Sequence, residues 1–255
     1  MISKAWWLAG AVLLSGCVQQ TYSGKDQLVT PGIDAESASR ERLSLGMAYL
    51  KRGNGEQAKY NFERALLHTP TDSDALLAMA YYYESVRAFD RAESYYQKSV
   101  EATPFNADAA NNFGAFLCRQ HKYQQADQWF NRAVSAPGYI RVSQTFENLG
   151  LCAEQAGWAD KAASYYVQAL NYNPRRATSL LQLAKLRFDG ELLADSRSYL
   201  ERYHQSGQQS ADSLWLGAEL EFAANNTDAA RRYGVLLLAK FPASTQAKAY
   251  RTKYY

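Results

Sequence analysis

Three cysteines and three histidines are the chain's whole stock of thiol and imidazole groups for metal binding or nucleophilic catalysis. Cys17, Cys118 and Cys152 are widely separated, as are His68, His121 and His204. No C-x-x-C or H-E-x-x-H spacing brings two of them to one site. No G-x-S-x-G elbow or Gly-rich phosphate loop occurs, and the carboxylates read as parts of solvated helix faces. No catalytic residue, metal site or cofactor is expected, and the chain is not read as an enzyme. A hydrolase would need scattered acidic residues to converge with no motif marking them.

The composition narrows the partners. Across 255 residues, 28 Lys and Arg face 25 Asp and Glu, for a net charge of +3. With no run of cations, that balance lacks the footprint needed to neutralise several phosphates, so nucleic acid is not an expected partner. A 47% hydrophobic chain of this length sustains a sizeable core. Few Pro and Gly (6 and 15) with many Tyr and Phe (19 and 10) suit helix pairs packed through aromatic knobs better than a turn-rich β-sandwich.

Lys4, the apolar stretch from Ala5 to Leu14 and the end Ser15-Gly16-Cys17 have the order of a secretory signal. Its apolar core is too short to span a bilayer. Leu14-Ser15-Gly16-Cys17 resembles the bacterial lipobox, which makes residues 1–16 a lipoprotein signal peptide and Cys17 the lipid-attachment site; the plainer alternative is cleavage elsewhere, with Cys17 a bystander. Several acyl chains on one residue hold a protein on a membrane without crossing it. Val18 stands where an Asp marks inner-membrane retention in Gram-negative lipoproteins. By that resemblance the expected address is the periplasmic face of the outer membrane. Residues 17–38 are polar, with Gly24, Pro31 and Gly32, and read as a flexible tether.

From residue 39 the chain repeats. Ala58, Ala92, Ala126, Ala162, Ser196 and Ala229 fall in register at gaps of 34, 34, 36, 34 and 33. Twelve residues before each stands Gly46, Ala80, Gly114, Gly150, Ala184 or Gly217. Four residues after each stands Phe62, Tyr96, Phe130, Tyr166, Leu200 or Tyr233. Pro70, Pro104, Pro137, Pro174, Gly207 and Pro242 supply the stops. This resembles the tetratricopeptide repeat. The fold class expected is all-α: a right-handed superhelix of six tetratricopeptide helix pairs over about 39–72, 73–106, 107–142, 143–176, 177–209 and 210–243, with a closing helix at 244–255. Such a stack, closed by its last helix, needs no dimer for solubility, so a monomer is expected.

The register places Cys118 and Cys152 in the first helices of repeats three and four, which run side by side. In an oxidising compartment they would close a disulfide, worth about 4 kcal/mol of loop-closure entropy for a 34-residue loop before strain; the alternative is two buried free thiols. The first helices of such arrays line a concave groove. Leu43, Met47, Leu50, Leu77 and Tyr81 would give it an apolar patch suited to an amphipathic helix or extended peptide. Asn111 would add a donor and an acceptor for peptide backbone. The competing expectation is that the tether or a neighbouring helix covers this strip.

The lipobox, the six repeats and the segments Asn111-Asn112-Phe113-Gly114-Ala115-Phe116-Leu117-Cys118 and Asn148-Leu149-Gly150-Leu151-Cys152 together resemble the PilF/PilW lipoproteins of type IV pilus biogenesis. The resemblance implies a pilotin, an outer-membrane lipoprotein that binds subunits of the secretin PilQ and promotes their localisation and multimerisation. Generic repeat lipoproteins supply the alternative, a scaffold for another envelope complex such as peptidoglycan enzymes.

Overall fold

The structure is a computed structural model and describes residues 34–254. The expected signal peptide, Cys17 and residues 17–33 of the expected tether lie outside the described residues. Thirteen helices and no strand occur among those described: α1 (Ala35–Lys51), α2 (Gly55–His68), α3 (Ser73–Ser85), α4 (Phe89–Glu101), α5 (Ala107–Arg119), α6 (Tyr123–Val134), α7 (Val142–Gln155), α8 (Ala159–Tyr172), α9 (Ala177–Asp189), α10 (Leu193–Gln205), α11 (Ala211–Ala223), α12 (Thr227–Lys240) and α13 (Thr245–Tyr254). This is the all-α tetratricopeptide fold. Each odd helix packs on the even helix that follows and on the next odd helix, and α13 takes the place a seventh first helix would hold, against α11 and α12.

One boundary differs from expectation. Residues 35–38, assigned to the tether, form the first turn of α1. Glu36 stabilises that turn against the positive end of the helix dipole. Ser39 anchors the turn from beneath, with its hydroxyl 2.6 Å from Thr69 Oγ1 and donating to the Ala65 carbonyl at 3.3 Å.

The small residue of each first helix and the bulky residue of its partner helix are one contact. A Cβ on Gly46 would lie 2.4 Å from the Phe62 ring, and one on Gly150 would lie 2.4 Å from the Tyr166 ring. The aromatic therefore seats on the glycine of its own repeat before reaching the next. Tyr96 does both, lying on Ala80's repeat while meeting Phe113 and Phe116 of α5 at 5.7 and 4.9 Å between ring centroids. Fully burying a side chain of this size contributes about 2 kcal/mol or more. The Tyr96 hydroxyl escapes desolvation by donating to Glu84 Oε2 at 2.7 Å, and Tyr166 donates to Glu154 in the same way. Burial is the first cause holding both phenols well above their ordinary pKa.

Every intra-repeat turn contains one residue in the left-handed region: Gly53, Arg87, His121, Gly157, Glu191 and Asn225. That turn reverses the chain so that the two helices of a repeat lie antiparallel.

Candidate partner-binding surface

The first helices carry the residues expected to meet a partner. In repeat one, Leu43 and Leu50 are half-buried against the core, while Met47 is 41% exposed. Met47, Ala48, Leu50 and Lys51 line an apolar recess of about 440 Å³. Tyr81 is half-buried and meets Tyr96 edge-on at 6.0 Å. Burial, followed by the Glu84 carboxylate, pushes its phenol up to about 12, so it presents a neutral hydroxyl.

Leu77 and Asn111 correct the expected groove, because both are buried. Leu77 is part of the continuous core. Asn111 Oδ1 accepts hydrogen bonds from Thr145 Oγ1 at 3.0 Å and from Asn148 Nδ2 at 2.9 Å, clamping α5 to α7. Its carbonyl oxygen is thus committed within the stack. Glu147, at the equivalent place in repeat four, likewise accepts from Ser179 Oγ at 2.9 Å and pairs with Arg176 at 3.0 Å. This register position joins successive repeats where it was expected to face a ligand.

Leu45 is the residue that sequence reasoning passed over. It stands at the seventh position of repeat one, where the other repeats carry Met79, Phe113, Leu149, Leu183 and Leu216. Those five are buried, whereas Leu45 is 43% exposed. Among the described residues, α1 packs only on α2 and α3, and no described helix covers the flank that a preceding repeat would cover. The signal lay in the register: a first unit with a full consensus has an interior residue at its edge.

A second cleft, of about 760 Å³, crosses the inter-repeat turns and is lined by Arg40, Leu43, Thr71, Phe105 and Tyr139 among others. Its carboxylates are engaged, Asp74 by Asn106 Nδ2 at 2.9 Å and Asp108 by Arg141 at 3.1 Å. Cys118 of α5 and Cys152 of α7 lie 5.8 Å apart at Cα and 2.22 Å apart at sulfur, in a disulfide between repeats three and four. The three histidines lie apart: His68 ends α2, His121 sits in the α5–α6 turn, and His204 in α10 shares a 3.1 Å hydrogen bond with Ser213. Among the described residues, no group of three or more His, Cys, Asp and Glu side chains converges on a metal-sized site, and no helix is long and apolar enough to cross a membrane.

Models of the tetratricopeptide repeat match residues 73–106, 143–176 and 95–128. The type IV pilus assembly protein PilF of Pseudomonas aeruginosa is 31% identical over 243 residues, covering 95% of each chain. The chain belongs to the PilF family. The solved Pseudomonas aeruginosa PilF superposes with a TM-score of 0.74, covering 86% of this chain and 98% of that one. PilW, described as a widely conserved type IV pilus biogenesis factor, superposes at 0.70 with 27% identity, covering 83% of this chain and 97% of its own. An uncharacterised Haemophilus influenzae protein is 34% identical over 144 residues, 56% of this chain and 76% of its own. Membership of the PilF family carries a role in type IV pilus biogenesis.

Proposed function

We propose that this PilF-family chain is a pilotin: an outer-membrane lipoprotein, anchored through Cys17, that binds subunits of the pilus secretin PilQ and promotes their localisation and multimerisation. The observation that carries the reading is the apolar row on α1, where Leu45 and Met47 are exposed beside the half-buried Leu43 and Leu50 and no other described helix covers them. A secretin segment with a complementary apolar helix face would cover this flank as a preceding repeat would. The disulfide supports the same role by stiffening the middle of the stack, so that the binding end is presented on a rigid body.

The test is capture of PilQ from detergent-solubilised membranes by the purified protein. Leu45→Asp and Met47→Asp variants should fold normally and lose most of the captured secretin. Undiminished capture by both variants would reject the α1 flank. The anchor is tested separately: Cys17→Ala protein that still sediments with outer membrane would reject lipid attachment at that residue.

A further inference from the structure

The cations of this chain are unevenly placed. Helices α12 and α13 carry six, Arg231, Arg232, Lys240, Lys248, Arg251 and Lys253, against the single carboxylate Asp228. The chain as a whole carries 28 against 25, so everything outside these two helices is slightly acidic. Some outward cations elsewhere find carboxylates, as Lys161 of α8 finds Asp127 at 2.9 Å, and within α13 Lys253 pairs with Glu219 of α11 at 2.6 Å. Arg231, Arg232 and Lys248 are exposed and make no ion pair among the described residues.

The apolar surface of α12 lies in the same place. Its inner face, Ala229, Ala230, Gly234 and Leu237, is buried against α11 and α13. Gly234 lets α13 close in so tightly that a Cβ there would overlap the Tyr250 ring. At helical spacing, Arg231, Val235 and Ala239 form one outward row and Arg232, Leu236 and Lys240 the next. Val235 is 61% exposed and Leu236 38% exposed. Each exposed apolar residue therefore sits one turn from a guanidinium, on the outward face of the helix.

We propose that the outward face of α12, with the neighbouring cations of α13, docks on an anionic phospholipid surface. Cations that attract acidic headgroups, flanking short apolar side chains that enter the headgroup boundary, are the chemistry of a helix lying in an interface. The convex outer face of a helix fits a plane, and the five cations that remain once Lys253 is paired with Glu219, against the carboxylate Asp228, supply the charge complementarity. The site is at the opposite end of the stack from α1, so it stands or falls independently of secretin binding and of lipid attachment at Cys17.

The experiment uses the full chain carrying Cys17→Ser, which cannot be lipidated there, in co-sedimentation with vesicles. One set is phosphatidylcholine alone, and the other contains about one-third phosphatidylglycerol. The expected result is about threefold more protein on the anionic vesicles, with the excess removed at about 0.5 M salt by screening. The same excess should vanish in Arg231→Glu/Arg232→Glu and shrink in Arg231→Gln/Arg232→Gln, both with an unchanged helical circular-dichroism melt. Equal binding to the two vesicle types would overturn the proposal. So would an anionic excess that survives charge reversal, or a reversed variant that keeps the vesicle excess and loses only binding to poly-glutamate, which would make the face a dock for acidic protein. The salt dependence of the unmodified C-terminal helices decides the question even if a variant fails to fold.

Discussion

Leu45 and Met79 occupy the same position of successive repeats, yet Leu45 is 43% exposed and Met79 is 1% exposed. The difference comes from neighbours. Met79 lies beneath repeat one, and among the described residues no helix lies over Leu45. Truncation should therefore separate the two: Met79→Ala should cost about 2–5 kcal/mol of stability, and Leu45→Asp about 0.5 kcal/mol or less. Denaturant titration of each variant checks this. An equal loss for both would show that the α1 flank is covered in solution.

Gly150 tests the contact that defines each repeat. A methyl group there meets the Tyr166 ring at 2.4 Å, and that ring is fully buried and hydrogen-bonded to Glu154, so it has nowhere to retreat. Gly150→Ala should lower stability by about 1–3 kcal/mol through overpacking. At Gly53 an added Cβ would meet nothing within 4 Å, but φ is positive, so alanine should cost only the backbone strain of about 1–2 kcal/mol. Comparing the two melts separates collision from strain.

The cysteine pair gives a redox-dependent stability. Cys118→Ala removes the link between α5 and α7 and should lower stability by up to about 4 kcal/mol in the oxidised protein. Reductant should produce the same drop in the parent chain and none in the variant. A parent melt that is indifferent to reductant would mean that the thiols are free.

His204 makes the C-terminal repeats acid-sensitive. Burial holds its pKa below the ordinary 6.5. Between that lowered value and 6.5 the unfolded chain binds more protons than the folded one, so stability rises with pH through this window. The contribution of His204 is complete above about 6.5 and declines as the pH falls through the window toward the folded value. His204→Gln should therefore melt with less dependence on pH below about 6.5 than the parent chain. Parallel pH profiles for the two proteins would remove His204 as the cause.

The fold was legible in the sequence because its period is a packing rule: a small residue in one helix must face a bulky residue in the next, and Gly46–Phe62 and Gly150–Tyr166 repeat that rule at fixed spacing. The family was legible for the same reason, with the Asn-rich, Cys-bearing first helices added. The groove was legible only in part. A general repeat pattern places Leu77 and Asn111 on the concave side, but Asn111 meets Thr145 and Asn148 of the next first helix, and that depends on side-chain lengths in two repeats at once. Leu45 was hidden for the opposite reason, since its residue type fits the consensus and only its place at the end of the stack exposes it. The cation excess of α12 and α13 disappears in whole-chain composition because the rest of the chain balances it.

The proposed delivery and assembly of the pilus secretin is read from the state of PilQ in cells lacking the protein, complemented with the parent chain or with Leu45→Asp, using membrane fractionation and a denaturant-resistant oligomer assay. Outer-membrane secretin multimers are expected with the parent chain, and unassembled or inner-membrane PilQ both without the protein and with the variant. Normal secretin multimers in the outer membrane of cells lacking the protein would rule out this role.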